Sequence, residues 1–235
     1  MAIELATDTA DFSGIRKLWE ERFTTCQSYL DTLFREVFPL CKSYVHKIDG
    51  ETVSVASFMP MKFISPNSEH ILKGFYMFGV ATTQAHEGKG LAVQLIKYAI
   101  ENFSTEAYDF VFERPANQSL NNYYFKLGFS YSLPKQPHLF NLQETGGSTK
   151  NIPNKTTALP SPEAVLNEIK DKFPKRFEWE NTKILEGLIN LGEVEYNNEI
   201  YQKEWNPEET YIAINTLSKT DPQLFKDSFF CLSME

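Results

Sequence analysis

The sequence predicts an α+β fold, and three observations predict it. Short runs rich in Val, Phe, Tyr and Thr alternate with stretches in which apolar residues recur every three or four positions, the patterns of strands and of amphipathic helices. Two β-rich runs meet at Asp49-Gly50, a two-residue hairpin turn. A third strong run, Leu72–Thr82, opens through a polar, glycine-bearing loop directly into a helical pattern. No internal repeat and no heptad pattern competes with this reading.

Taken in order, Ala2–Thr7 reads as a short strand. Thr9 or Asp11 then caps a helix in which Phe12, Ile15, Leu18, Trp19 and Phe23 fall at helical spacing. A second short helix carries Tyr29, Leu33, Val37 and Phe38. Ser43–Ile48 and Thr52–Met59 form the hairpin, and Met61–Ile64 either continues its second strand past Pro60 or bulges there. After the strand Leu72–Thr82, the polar loop Thr83–Lys89 leads into a helix over Gly90–Phe103, with Leu91, Leu95, Tyr98 and Ala99 on one face. Phe110–Phe112 is a short apolar strand. Asn117–Leu127 reads as a helix ending at Gly128, a good residue just past a helix C-terminus. Phe129 begins another strand, with Leu139–Leu142 as its expected partner.

From Gln143 to Pro162 the large apolar residues give way to Gly, Ser, Thr, Asn and Pro, which reads as a linker or long excursion. Beyond it, Pro162–Phe173 and Trp179–Asn190 read as helices, Glu193–Tyr196 and Ile200–Lys203 as a hairpin, and Thr210–Ile214 as a strand. The expected division is therefore a domain over 1–142, a connection over 143–162 and a small α+β region over 163–235.

Composition narrows the function. A chain of 235 residues fits one large domain or two modest ones. Its 23 basic against 31 acidic residues, a net charge of −8, count against a nucleic-acid binder, which needs clustered Lys and Arg to neutralise phosphates. Cys26, Cys41 and Cys231 are odd in number and include no CxxC pair, so neither a metal site nor a disulfide framework is expected. Reduced thiols and the absence of signal-peptide features at the N-terminus lead us to expect a cytoplasmic protein. No run approaches the 18 or so apolar residues of a membrane span, so no membrane association is expected.

Chemistry concentrates in the segment Val80-Ala81-Thr82-Thr83-Gln84-Ala85-His86-Glu87-Gly88-Lys89-Gly90-Leu91-Ala92. Gly88 and Gly90 permit backbone conformations and close approaches that a side chain blocks. The helix that follows offers unpaired N–H groups and a partial positive charge, and Lys89 adds a full one. By itself this is either an anion cradle or a glycine-rich turn without a ligand. It is not a Walker loop, since no GK[ST] follows, and it lacks the third glycine of a dinucleotide fingerprint.

Downstream stands a second block, Asn117-Gln118-Ser119-Leu120-Asn121-Asn122-Tyr123-Tyr124-Phe125-Lys126-Leu127-Gly128-Phe129. With both blocks in place, the sequence resembles the GNAT N-acetyltransferases over about residues 2–142. Glu87-Gly88-Lys89-Gly90-Leu91-Ala92 matches their [Q/R]-x-x-G-x-[G/A] loop except at its first position. Asn117 and Tyr124-Phe125-Lys126-Leu127-Gly128-Phe129 match their later Asn…Tyr-x-K-x-G-F block. The string from Gly79 to Thr82 and beyond looks most like the bacterial branch that includes the Eis-type enzymes.

The resemblance implies a three-layer α/β/α-like arrangement around a mixed, mostly antiparallel sheet. It also implies acetyl-CoA as acyl donor, with no metal. Val80, Ala81 and Thr82 would lend backbone groups to the pantetheine arm, and the amides of Gly88, Lys89, Gly90, Leu91, Ala92 and Val93 would hold the pyrophosphate. Tyr124 takes the general-acid position, next to the departing thiolate. Asn117 matches a cofactor contact and equally suits a helix N-cap. Tyr123, about 100° further round the helix, is expected in the core.

Glu87 departs from the pattern, and a carboxylate beside a diphosphate is repulsive. For the general base, Glu113 is the candidate, although it sits one residue out of the expected phase and Arg114 offers an ion-pair explanation for it. Glu69, His70 and His86 are lesser loop candidates. Most of the aromatic residues Trp19, Phe23, Tyr29, Phe34 and Phe38, where the family builds its acceptor wall, are expected in the core. Residues 163–235 would cap the acceptor cleft or form a homodimer contact.

The expected activity is transfer of an acetyl group to the amine of a small molecule or peptide by direct attack in a ternary complex. The net negative charge suits a cationic amine. The alternative is a GNAT-fold CoA-binding or regulatory protein without that chemistry.

Overall fold

The computed structural model describes residues 2–23, 25–66, 71–116, 118–134, 161–191, 195–196, 200–201, 211–217 and 220–225. Ten strands are β1 (Ala2–Leu5), β2 (Lys42–Ile48), β3 (Glu51–Ile64), β4 (Leu72–Thr82), β5 (Phe110–Glu113), β6 (Ser130–Pro134), β7 (Arg176–Trp179), β8 (Glu195–Tyr196), β9 (Ile200–Tyr201) and β10 (Tyr211–Thr216). Eight of them form one sheet in the order β1-β2-β3-β4-β5-β10-β6, with β7 also paired to β3, while β8 and β9 pair separately. Every pairing in the large sheet is antiparallel except β4 with β5.

Helices cover both faces. Helices α1 (Thr9–Arg22), α2 (Gln27–Thr32), α5 (Pro162–Lys172) and α6 (Thr182–Asn190) pack residues such as Trp19, Leu30, Ile169 and Leu188 into one cluster with Val55, Phe78 and Phe112. Helices α3 (Leu91–Thr105) and α4 (Asn121–Phe125) pack Leu95, Phe103 and Tyr124 into a second cluster with Phe58, Phe75 and Val111. Residues alternate between the clusters along β5, Phe110 and Phe112 on one side and Val111 on the other, as the period-2 geometry of a strand requires. This is the α+β arrangement that the sequence predicts.

Local chemistry sets the elements. Asp49 (φ 52°) and Gly50 (φ 83°) both take positive φ, so the hairpin is the primed turn that matches strand twist. Pro60 does not end β3. It lies between Phe58, where pairing with β2 stops, and Met61, where pairing with β7 starts, a gap that asks for no N–H donor.

Several elements differ from expectation. The α1 cap is Asp8, whose carboxylate accepts from the Asp11 N–H at 2.8 Å, rather than Thr9 or Asp11. Asp11 is buried instead, pairing with Lys47 at 2.5 Å and accepting from the Thr7 N–H at 2.9 Å. The second predicted helix divides into α2, a wide π turn over Leu33–Val37 and a 3-10 turn over Phe38–Leu40. Trp179 ends β7 rather than opening a helix; α6 starts after Asn181, whose side chain caps the Lys183 N–H. The second-block helix shortens to a 3-10 turn at Gln118–Leu120 followed by the single turn of α4. The described partner of β6 is β10; residues 139–142 lie outside the described residues.

The C-terminal elements enter the same sheet. Strand β10 lies between β5 and β6. Strand β7 pairs with β3, and across that pair the buried Glu178, which accepts from Arg176 at 2.6 Å, also meets the half-buried Lys62 at 3.1 Å.

Candidate active site

The parallel pair β4–β5 positions the site. Its pairing runs from Gly74 opposite Phe110 to Met77 opposite Glu113 and then stops, while β4 continues to Thr82. At Gly74 the backbones approach so closely that a Cβ would fall 2.1 Å from the Phe110 carbonyl oxygen. Past Met77, β4 keeps β3 on one side only among the described strands. One extra residue enters β4 there: Phe78 faces Ser57, Ala81 faces Val55, and Gly79-Val80 share Ala56. This is a β-bulge, a device that bends a strand and re-aims its end. Gly79 takes φ 59°, and a Cβ on it would lie 2.3 Å from Cζ2 of Trp19, so both backbone and ring require glycine.

Strand β4 turns away from β5 into the loop at 83–90. The Thr83 hydroxyl meets His86 Nδ1 at 2.9 Å, and the Gln84 N–H donates to Glu21 at 2.7 Å. Gly88 (φ 71°) and Gly90 (φ 74°) then deliver the chain to α3, with nothing within 4 Å of where either Cβ would stand. The first intrahelical bond runs from the Gln94 N–H to the Gly90 carbonyl. The amides of the first turn, Leu91 to Val93, therefore point out of the helix without an intrahelical acceptor.

The parting of the strands and this loop enclose a cleft of about 510 Å³. Of the expected cofactor residues, Val80, Ala81, Thr82, Gly88, Gly90, Leu91, Ala92 and Val93 line it. Lys89 does not. Its ammonium folds back to the Ala85 carbonyl at 3.0 Å. His86 is among the lining residues, while Asn117, Glu69 and His70 lie outside the described residues.

Three lining residues are absent from the sequence reading or placed differently in it. Tyr123, expected in the core, does pack partly buried against the second cluster, and it lines the cleft as well. So does Phe23, while Trp19 and Phe38 of the same aromatic set are buried. Arg22, at the end of α1, also lines the cleft, where its guanidinium donates to the Glu87 carboxylate. The one hint of Arg22 in the sequence was the anomaly at Glu87, an anion in a place suited to a cation.

Tyr124 stands behind Tyr123, only 8% exposed, its ring edge-on to Tyr123 at 5.0 Å and to Phe129 at 5.7 Å. Burial raises its phenol well above the ordinary value, and the charge of Glu113 adds to the shift. The same two causes, in the same order, raise Tyr123. Glu113 alternates with Phe112, so it falls on the Val111 face of the sheet, with the cluster that holds Tyr124. It is 2% exposed, and its Oε1 has no hydrogen-bond partner among the described residues. Burial pushes its carboxyl up to about 9, with no ion-pair contribution to lower it. At neutral pH Glu113 is therefore a protonated acid, a donor rather than an acceptor.

A sheet whose parallel pair parts beside a helix N-terminus, with a phenol set behind the opening, defines the acyl-CoA-dependent transferase class of fold. The chain belongs to the acetyltransferase (GNAT) domain family, whose model matches residues 3–132. Among solved structures it is similar to Eis1 from Mycobacterium abscessus, with TM-score 0.57 and 11% identity over 82% of this chain and 48% of that one. It is also similar to a probable N-acyltransferase from Enterococcus faecalis, with TM-score 0.49 and 12% identity over 56% of this chain and 32% of that one. A third is the ribosomal-protein-S18-alanine N-acetyltransferase from Escherichia coli, with TM-score 0.48 and 9% identity over 94% of this chain and 97% of that one. The match thus spans about half of the Eis1 chain and a third of the Enterococcus chain. The curated proteins yield no match.

Proposed function

We propose that the protein is an acetyl-CoA-dependent N-acetyltransferase acting on an amine of a small molecule or peptide. The observation that carries this reading is the open edge of β4 at Val80–Thr82, running directly into the free amides at the start of α3. An extended pantetheine arm finds backbone groups along such an edge, and a diphosphate finds donors at the helix end.

In the proposed reaction the amine nitrogen attacks the thioester carbonyl, forming the C–N bond. The C–S bond breaks as the tetrahedral intermediate collapses. Tyr124 gives its phenolic proton to the departing thiolate, and the amine releases one proton to water. Glu113 keeps its proton at neutral pH, so it is not the base, and a proton from solvent restores the Tyr124 phenol. The acidic net charge favours a cationic acceptor. We further propose that residues 163–235 serve this acyltransferase unit as a lid or assembly element.

The test is release of free CoA thiol from acetyl-CoA over a panel of polyamines, aminoglycosides and N-terminal peptides. Tyr124→Phe should lower kcat by about 10²-fold or more, the scale of a lost general acid, while leaving acetyl-CoA affinity within twofold. An unchanged kcat would reduce Tyr124 to a packing residue. The second reading, a CoA-binding protein without chemistry, is favoured by the protonated state of Glu113, which leaves no ready carboxylate base behind the cleft. Acetyl-CoA binding without thiol release for any amine would select it.

A further inference from the structure

The loop position where GNAT proteins carry Arg or Gln is Glu87 here, and the cleft compensates from another element. Arg22 closes α1, 65 positions away in sequence, and its guanidinium reaches Glu87 at the mouth of the cleft. Arg22 and Glu87 both line the same space as Gly88, Gly90 and the first turn of α3. Lys89, the cation the sequence places nearest, is turned to the Ala85 carbonyl and lines no part of that space. Of the described lining residues, Arg22 is thus the one side chain with a permanent positive charge.

We propose that Arg22 is the phosphate-binding cation of this protein and that Glu87 is its internal placeholder. Without a ligand the carboxylate occupies the guanidinium fork. An incoming diphosphate, doubly charged and able to accept from both prongs of the guanidinium fork, takes the guanidinium from Glu87. The exchange leaves Glu87 in solvent, where it is already half exposed. The ion pair thus keeps the cradle closed to weak monoanions and yields to a diphosphate, giving affinity a selectivity for charge. The inference rests on the acyl-CoA reading of the cleft and adds to it the residue that supplies the charge.

The two residues carry opposite signs of effect, which makes the idea testable. Binding of CoA and of pantetheine, which has the arm but no diphosphate, is measured by calorimetry for the wild type, Arg22→Ala, Arg22→Lys and Glu87→Gln, with thermal melting of each unliganded variant as a folding check. Arg22→Ala should weaken CoA about 10- to 100-fold, the scale of a lost charged hydrogen-bond pair, and leave pantetheine unchanged. Arg22→Lys should fall between, because an ammonium keeps the charge and loses the fork. Glu87→Gln should tighten CoA about threefold or more, since the competing carboxylate is gone. Equal CoA affinity in wild type and Arg22→Ala, or weaker CoA binding by Glu87→Gln, would overturn the proposal and leave the acyl-CoA reading intact. Failure of the wild type to bind CoA at all would instead overturn that reading, and this inference with it.

Discussion

Replacing Gly79 by Ala probes the bulge on which the cleft depends. Two costs add. At φ 59° a Cβ strains the backbone, which for an L-residue in the left-handed region costs about 1–2 kcal/mol. The new methyl would also stand 2.3 Å from Trp19 Cζ2 and 2.9 Å from Cε2. The indole has nowhere to retreat. It is wedged between Phe23, Phe38 and Phe78 at centroid distances of 4.5, 5.6 and 6.3 Å, so forcing it aside costs a further ~1–3 kcal/mol as overpacking. Gly79→Ala should therefore destabilise the protein by about 2–5 kcal/mol, or roughly 5–20 °C in Tm for a chain of this size. Urea unfolding followed by far-UV circular dichroism measures it. Repeating the substitution in a Trp19→Phe background separates the terms: a smaller ring should remove the clash and leave about 1–2 kcal/mol. A Gly79→Ala protein within 0.5 kcal/mol of wild type would refute the assigned backbone. The same loss in both backgrounds would refute the role of the ring.

Other predictions follow from the buried charges. Glu113 has its folded pKa raised to about 9, so its contribution to stability is full below the ordinary carboxylate value and is lost as pH rises toward 9, at about 1.4 kcal/mol per pH unit. Glu113→Gln should accordingly match wild type near pH 4 and exceed it by several kcal/mol at pH 8 in denaturant midpoints; a pH-independent difference would mean that the carboxyl ionises normally. Glu178→Ala strips the buried Arg176 of its carboxylate partner and should cost about 3–5 kcal/mol in urea unfolding, the scale of a broken buried pair. A loss under 1 kcal/mol would show that β7 is not held to β3 by the ion pairs of Glu178.

What the sequence made legible was local. The limits of β4 follow from an unbroken β-rich run, and the Asp49-Gly50 turn from chemistry that only a primed turn uses. Trp179 falls in β7 rather than in a helix: the four-residue strand is too short to show a period against the helical run that follows, and its polar members are buried through pairing, Arg176 with Glu178 and the Phe173 carbonyl, Glu178 with Lys62. The place of β10 between β5 and β6 is a non-local pairing that no window of sequence contains. Tyr123 was assigned to the core from the phase of one regular helix. A 3-10 turn leads into the single-turn α4, and the altered phase brings Tyr123 to the cleft. Arg22 was invisible for the same reason as β10, since α1 and the loop meet only in the folded chain.

The proton inventory of the site constrains how the chemistry runs. Direct attack liberates one proton at the amine and consumes one at the thiolate, so catalysis needs a donor behind the sulfur and an acceptor on the amine side. In the proposed reaction the donor is Tyr124, and Glu113, on the same face of the sheet and protonated up to about 9, is not the acceptor at neutral pH. The Oε1 of Glu113, which has no partner among the described residues, fits a group kept neutral, for no described donor stands there to stabilise an ionised oxygen. In the proposed reaction the amine proton therefore leaves on the open side of the cleft, where the only titratable lining group besides the Arg22–Glu87 pair and Tyr123 among the described residues is His86, held by Thr83 through Nδ1. The proposed reaction thus separates the two proton tasks, with the donor in the core and the acceptor at the solvent face.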